Sequence, residues 1–127
     1  MENRKFTMLI VEDDIISFEL YRARLEDLDI NLVHAKNGKV AVEKVRENPD
    51  INLVLMDIRM PVLNGYEATK QIRKFNPTIP IIAQTAFAMM PEQKTILETG
   101  FTDFLPKPVE EEKLFGLIKK YMRLSKK

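Results

Sequence analysis

Short apolar runs alternate with longer segments of helical period along this chain of 127 residues. The runs have the length of β-strands, and three are nearly continuously apolar, as strands covered on both faces are. The predicted strands are Phe6–Val11, Ile30–Ala35, Ile51–Met56, Ile79–Ala83 and Phe101–Leu105. The predicted helices lie in DIISFELYRARLEDL, GKVAVEKVREN, GYEATKQIRKF, MMPEQKTILETG and VEEEKLFGLIKKYMRL. The pattern therefore predicts five βα units.

Strict alternation of strands and helices predicts a parallel sheet, because parallel strands need crossovers and right-handed crossovers place helices on both faces. Five strands favour a flavodoxin-like (βα)5 doubly wound sandwich with strand order 2-1-3-4-5. The length suits a single domain over residues 1–127, with its core at about 6–124. Ligands of such sheets bind at the carboxyl ends of the strands, where strand order reverses. We therefore expect one site, between the first and third strands.

The composition excludes several classes of function. Lysine and arginine number 20 against 19 acidic residues, without the strongly basic balance of a nucleic-acid-binding domain. The lack of cysteine excludes disulfides, zinc thiolate sites and thiol catalysis. No apolar run reaches the roughly 18 residues of a membrane span, and the start, MENRKFTMLIVEDD, turns acidic too soon for a signal peptide. We expect a cytoplasmic protein, or a cytoplasmic piece of a longer one, without nucleic-acid or membrane contact.

Polar side chains follow four of the predicted strands, at the edge where the site is expected. Glu12 and Asp13 follow the first strand, Asp57 the third, Thr85 the fourth and Lys107 the fifth. Three carboxylates in one crevice repel each other, so a cation is expected among them, and an all-oxygen set favours Mg²⁺ over zinc. A carboxylate can attack phosphorus while magnesium and lysine spread the charge. This set of residues predicts a site at which Asp57 is phosphorylated.

The chain resembles the receiver domain of two-component response regulators over almost its whole length, from about Phe6 to Leu124. The resemblance rests on four motifs in order: the acidic pair in LIVEDD, the acceptor in LMDIRMPVLNG, the hydroxyl in AQTA, and KP after the last strand. The stretch QTAFAMM is similar to receivers of hybrid sensor kinases. The resemblance implies a phosphorylatable switch in phosphorelay signalling. Its phosphoryl donor would be a sensor histidine kinase or a histidine phosphotransfer protein.

The resemblance also implies a role for each residue around the acceptor. Asp57 would be the phosphoacceptor. Asp13 would bind Mg²⁺ directly, Glu12 would bind it through water, and the backbone carbonyl of Arg59 would be a further ligand. Glu12 departs from the commoner Asp, with a longer side chain that still suits metal binding. Such a chain is no enzyme in the ordinary sense, although it assists its own phosphorylation and dephosphorylation.

The switch residues follow from the same resemblance. Thr85 would donate to the phosphoryl group, Lys107 would pair with it, and the Lys107–Pro108 bond would be cis. Phe104 stands where the family has an aromatic ring that swings inward as the threonine moves, and it has no hydroxyl. Arg59 and Phe87 would flank the path of water to the phosphoryl group, and such a bulky pair predicts slow loss of that group.

Other residues are predicted to be structural. His34, the only histidine, is expected in the second strand away from the crevice, so the phosphohistidine would belong to the partner. Met89, Met90 and Leu97 are expected mainly to pack their helix, and Asp13 or Asp14 would cap the first helix. The switched face would comprise the fourth helix, fifth strand and fifth helix, which could also form a homodimer.

Three other functions compete with this interpretation. A phosphatase of the haloacid dehalogenase type also uses an aspartate and magnesium, but it needs a second Asp where Arg59 stands. A flavodoxin-like redox module needs Ser, Thr and Gly after the first strand, where this chain has VEDDII. A degenerate receiver would serve only as a protein-docking module, and the intact acceptor, acids and lysine argue against it.

Overall fold

The computed structural model describes residues 5–86 and 90–125. Five strands and five helices alternate along the chain. The strands are β1 (Phe6–Val11), β2 (Ile30–Ala35), β3 (Leu53–Asp57), β4 (Ile81–Thr85) and β5 (Asp103–Pro106). The helices are α1 (Ile15–Arg24), α2 (Gly38–Glu47), α3 (Gly65–Phe75), α4 (Met90–Thr99) and α5 (Glu111–Ser125). All neighbouring strands are parallel in the order β2-β1-β3-β4-β5, which confirms the predicted flavodoxin-like architecture.

The core has two layers, one on each face of the sheet. Successive strand residues point to opposite faces, so Leu9 and Val11 pack towards α2, α3 and α4, whereas Met8 and Ile10 pack towards α1 and α5. All four side chains are fully buried. The nearly continuous apolar character of β1 thus follows from its coverage on both sides.

Three strands differ from their predicted limits. β3 begins at Leu53. Just before it, the Asn52 N–H donates to the Thr7 carbonyl, and the Asn52 side-chain oxygen accepts from the Thr7 N–H, both at 2.8 Å. β4 begins at Ile81, whose N–H donates to the side-chain oxygen of Thr102 at 3.0 Å. β5 begins at Asp103, two residues later than predicted, because the turn at Gly100 comes before it. The apolar residues Ile51 and Ile79 are buried even though they lie outside the strands.

The ends of the helices explain the remaining differences. α1 begins after Asp14, whose carboxylate accepts from the Ile16 N–H at 3.0 Å, so Asp14 and not Asp13 is the cap. α1 stops at Arg24, short of the predicted end, because the chain turns at Leu25. Gly100 ends α4 with a φ of 121°, a conformation in which glycine has no steric penalty.

In the two described stretches of chain, no helix combines the length and the apolar character needed to cross a membrane.

Gly65 allows α3 to start directly against the backbone of β3. A Cβ atom placed on it would lie 2.7 Å from the Asp57 carbonyl oxygen and 2.8 Å from the Ile58 Cα. Both contacts are with main chain, which cannot move aside as a flexible side chain can. Its N–H also donates to the Ile58 carbonyl at 2.9 Å, closing the loop that follows Asp57. The close approach therefore fixes the end of β3.

We predict that Gly65→Ala lowers the free energy of unfolding by about 1–3 kcal/mol, because the added methyl group overpacks this junction. Gly116 of α5 is the control, since a Cβ there meets nothing within 4 Å. Gly116→Ala should raise the free energy of unfolding by roughly 0.5–1 kcal/mol through helix propensity. Urea denaturation measures both. Equal effects of the two substitutions would contradict the proposed contact.

Candidate functional site

Asp57 is an almost completely buried carboxylate at the end of β3. It is 5% exposed, and its Oδ2 lies 2.6 Å from the Nζ of Lys107. Its other oxygen, Oδ1, accepts from the Arg59 N–H at 3.0 Å. A buried carboxylate without partners is very costly, and these two donors compensate it. The Lys107 side chain is 38% exposed and therefore bridges the acceptor and solvent.

Lys107 reaches Asp57 because the loop after β5 lies across the end of β4. The Lys107 N–H donates to the Thr85 carbonyl at 2.8 Å, and the Lys107–Pro108 peptide bond is cis. Thr85 itself is buried as the last residue of β4. The loop thus places the ammonium group beside both the acceptor and the end of β4.

The carboxylates of Glu12, Asp13 and Asp57 converge, with one ligand atom from each lying within 4.8 Å of the others. Asp13 is exposed, whereas Glu12 is 6% exposed and buried beside Asp57. Burial chiefly raises the pKa of Glu12, and the neighbouring Asp57 charge adds to that effect. Three converging oxygen donors form the kind of set that Mg²⁺ prefers.

His34 lies in β2 as expected, but the expectation that it lies away from the crevice is wrong. Its Nε2 lies 2.7 Å from the backbone carbonyl oxygen of Glu12, and its ring stacks on Phe18 of α1 at 4.3 Å between centroids. His34 is the penultimate residue of β2, and the short strand spacing of a sheet brings it level with the end of β1. His34 therefore supports the loop that carries the acidic pair.

A cavity of about 230 Å³ opens beside the acceptor. Asp57, Arg59, Thr85 and Lys107 all line it. Phe104 is half-buried and packs against the core layer under α2, α3 and α4. The cavity lies between the acceptor and the start of α4, so it is the space that a group on Asp57 would enter.

Four predicted residues lie along the chain between the end of β4 and the end of α4. Phe87 and Met89 lie outside the described residues, as does the side chain of Met90. Leu97 is exposed on α4, and its predicted packing role is wrong. The neighbouring Ile96 fills the core position instead.

The sequence interpretation missed a buried polar pair beneath the acceptor. The hydroxyl of Tyr21 donates to the Gln84 Oε1 at 2.6 Å, and Gln84, directly beside Asp57 in the sheet register, is 1% exposed. The Gln84 Nε2 has no partner among the described residues. Burial raises the pKa of Tyr21 to about 12, so the phenol stays a donor near neutral pH. A glutamine inside an apolar strand was the available signal.

A second missed pair lies on the other side of the cavity. Tyr66 of α3 donates its hydroxyl to the Glu92 Oε1 of α4, and both residues line the cavity. Nothing in the sequence pattern links these two positions, because their contact depends on how α3 and α4 pack. The cavity therefore contains a carboxylate that the motifs do not indicate.

The sequence matches the response regulator receiver domain family over residues 8–119. The chain belongs to this family. As a receiver domain it takes part in two-component signalling. Similar proteins include the transcriptional regulatory protein ZraR of Klebsiella oxytoca, with 38% identity over 90% of this chain. The sensor protein GacS of Pseudomonas syringae is 33% identical over 98% of it. The receiver spans only 26% of ZraR and 14% of GacS.

Solved structures of receiver domains share this fold. The receiver domain of a sensor histidine kinase from Pseudomonas aeruginosa has a TM-score of 0.83 and 31% identity, covering 93% of this chain and 98% of that one. That structure has a magnesium ion in its active-site cleft. The Saccharomyces cerevisiae Ssk1 receiver, crystallised with the histidine phosphotransfer protein Ypd1, has a TM-score of 0.81 and 34% identity, covering 95% and 89%.

We predict that Tyr21→Phe lowers the free energy of unfolding by about 1–3 kcal/mol, because it leaves the buried Gln84 oxygen without a donor. The double variant Tyr21→Phe with Gln84→Leu should regain much of this loss, since it removes both polar partners. Tyr121→Phe is the matched control, because the Tyr121 hydroxyl makes no hydrogen bond with the described residues. Urea denaturation measures the free energy of unfolding of wild type and of the three variants. A Tyr21→Phe loss no larger than that of Tyr121→Phe would contradict the pairing.

Proposed function

We propose that this receiver accepts a phosphoryl group on Asp57 from a partner phosphohistidine. The observation that carries the proposal is the environment of Asp57, a buried carboxylate between a lysine and two further converging acids. A carboxylate oxygen attacks phosphorus, the new O–P bond forms, and the P–N bond to the partner's imidazole breaks. The two hydrogen-bond donors on Asp57 hold the carboxylate in one orientation for this attack.

Glu12, Asp13 and Asp57 would hold Mg²⁺, with the backbone carbonyl of Arg59 as a further ligand. The convergence of one ligand oxygen from each carboxylate within 4.8 Å supports this assignment, as does the lack of an ion pair between Glu12 or Asp13 and a cation among the described residues. Bound Mg²⁺ would supply charge neutralisation at the phosphoryl oxygens. His34 and the backbone around Glu12 position the acidic pair towards the acceptor.

Lys107 and Thr85 would stabilise the phosphoryl group once it is on Asp57. The ammonium group already touches Asp57 and needs only a small shift to contact a phosphoryl oxygen. The Thr85 side chain lines the same cavity and offers a hydroxyl donor. Movement of Thr85 towards the phosphoryl group would leave space for Phe104, whose switch must rest on packing because the ring has no hydroxyl.

The donor would approach across α1. Ile15, Ile16 and Leu20 are exposed apolar residues on this helix, next to the loop that carries Glu12 and Asp13. Such a patch suits the apolar face of a partner, a sensor kinase or a histidine phosphotransfer protein. The Ypd1–Ssk1 complex supports a partner of the second kind.

The wider setting belongs to the same proposal. The chain would act in the cytoplasm as a single domain with its core at about 6–124, alone or in a hybrid kinase of the GacS kind. Its output face would comprise α4, β5 and α5, through which it could dimerise. The intact acceptor, acids and lysine disfavour a docking module that works without phosphorylation.

We predict that acetyl phosphate with Mg²⁺ adds one phosphoryl group to the wild-type chain, because Asp57 is the buried, oriented nucleophile. Intact-mass spectrometry detects the adduct. The adduct should be absent with chelator and absent in Asp57→Asn, which keeps the shape of the side chain. An adduct that persists in Asp57→Asn would place the acceptor elsewhere. No adduct on folded wild-type protein would favour the docking module.

We predict that Asp13→Asn weakens Mg²⁺ binding by roughly tenfold or more, because it removes one of three converging charges. Asp14→Asn is the matched control, since the adjacent side chain caps α1 and asparagine caps equally well. Isothermal titration with MgCl₂ measures both affinities. Equal weakening by the two substitutions would show that net charge, and not ligation, governs binding.

A further inference from the structure

Glu92 is a carboxylate inside the acceptor cavity that the proposed chemistry does not use. It lies in the first turn of α4 and lines the cavity together with Asp57, Thr85 and Lys107. It is half-buried, so its charge is only partly screened by solvent. The three carboxylates that converge within 4.8 Å are Glu12, Asp13 and Asp57, so Glu92 stands outside the expected metal cluster.

Tyr66 fixes the position of this carboxylate. Its hydroxyl donates to the Glu92 Oε1, and its ring packs edge-on against the buried Phe101 at 6.1 Å between centroids. Burial and the adjacent Glu92 raise the pKa of Tyr66 to about 12, so the phenol remains a donor at neutral pH. A ring held in the core therefore keeps the Glu92 charge facing the cavity.

Phosphorylation would increase the negative charge at Asp57, on the cavity that Glu92 also lines. A carboxylate at Asp57 carries one negative charge, and a phosphoryl group there carries about two. Lys107 and Arg59 also line the cavity, and both are cations that would attract the phosphoryl group. Glu92 opposes that attraction, since like charges in a partly enclosed site repel.

We propose that Glu92, held in place by Tyr66, is an electrostatic brake on phosphorylation of Asp57 and the group through which the phosphoryl charge acts on α4. The inference rests on the proposed function of Asp57. Coupling between two groups is reciprocal, so the free energy by which Glu92 disfavours the phosphoryl group equals that by which the phosphoryl group disfavours Glu92. Because Glu92 lies in the first turn of α4, its displacement loosens that helix end.

The test measures the affinity for beryllofluoride, a phosphoryl mimic formed from BeCl₂ and NaF, in the presence of Mg²⁺. Glu92→Gln removes the charge and keeps the shape, and it should bind beryllofluoride at least about fivefold more tightly than wild type. Tyr66→Phe releases the carboxylate and should give a smaller gain. The double variant should match Glu92→Gln alone, because Tyr66 acts through Glu92.

Glu98→Gln is the matched control, since Glu98 is an exposed acid further along α4. Its affinity should stay within about twofold of wild type, as expected for a screened surface charge. Hydrogen–deuterium exchange gives a second measurement: beryllofluoride should speed exchange in the first turn of α4 in wild type and not in Glu92→Gln. Circular dichroism confirms that each variant is folded.

The outcomes separate the two proposals. Suppose that wild type binds beryllofluoride while Glu92→Gln binds it no more tightly than Glu98→Gln does. In that case the proposed role of Glu92 is wrong, and the acceptor role of Asp57 stands. Weaker binding by Glu92→Gln also overturns the brake, because it would make Glu92 a supporting group. If folded wild type binds no beryllofluoride and gains no adduct from acetyl phosphate, the acceptor role fails, and the brake with it.

Discussion

The carboxylate of Asp57 is buried at the end of a central strand, and Lys107 forms an ion pair with it at 2.6 Å. Removing one partner of such a pair leaves an uncompensated charge, which costs far more than the pair itself contributes. Lys107 can reach Asp57 only because β4 separates β3 from β5 by a single strand. The sheet order and the loop after β5 are therefore both conditions for keeping this acid inside the fold.

A buried polar group also lies in the strand beside the acceptor. Gln84 lies beside Asp57 in the sheet, and its oxygen accepts a hydrogen bond from the Tyr21 hydroxyl of α1. A satisfied buried polar pair of this kind favours the observed placement of α1 on the sheet, because separating the pair would leave buried polar groups without partners. α1 also carries Phe18, on which His34 stacks while it contacts the Glu12 backbone. The acidic loop, the acceptor strand and α1 thus form one connected unit.

The apolar runs predicted five strands, and their alternation with helices, together with the usual order of five-stranded doubly wound sheets, predicted the strand order. Near the strand starts, Asn52 and Thr102 each supply a side-chain oxygen to a backbone N–H of the neighbouring strand, a contact that a hydrophobicity pattern does not register. His34 and Glu92 were missed for another reason. Their contacts join elements far apart in sequence, and such contacts depend on packing distances rather than on periodicity.

The charges around the acceptor also determine where a phosphoryl group can exert force. On one side, Glu12 and Asp13 already converge with Asp57, and a metal ion there would balance the added charge. On the other side stand Arg59 and Glu92, the second of which belongs to α4. The β-sheet is packed on both faces. If Asp57 is phosphorylated as proposed, the added negative charge would act on Glu92 and, through it, on the first turn of α4.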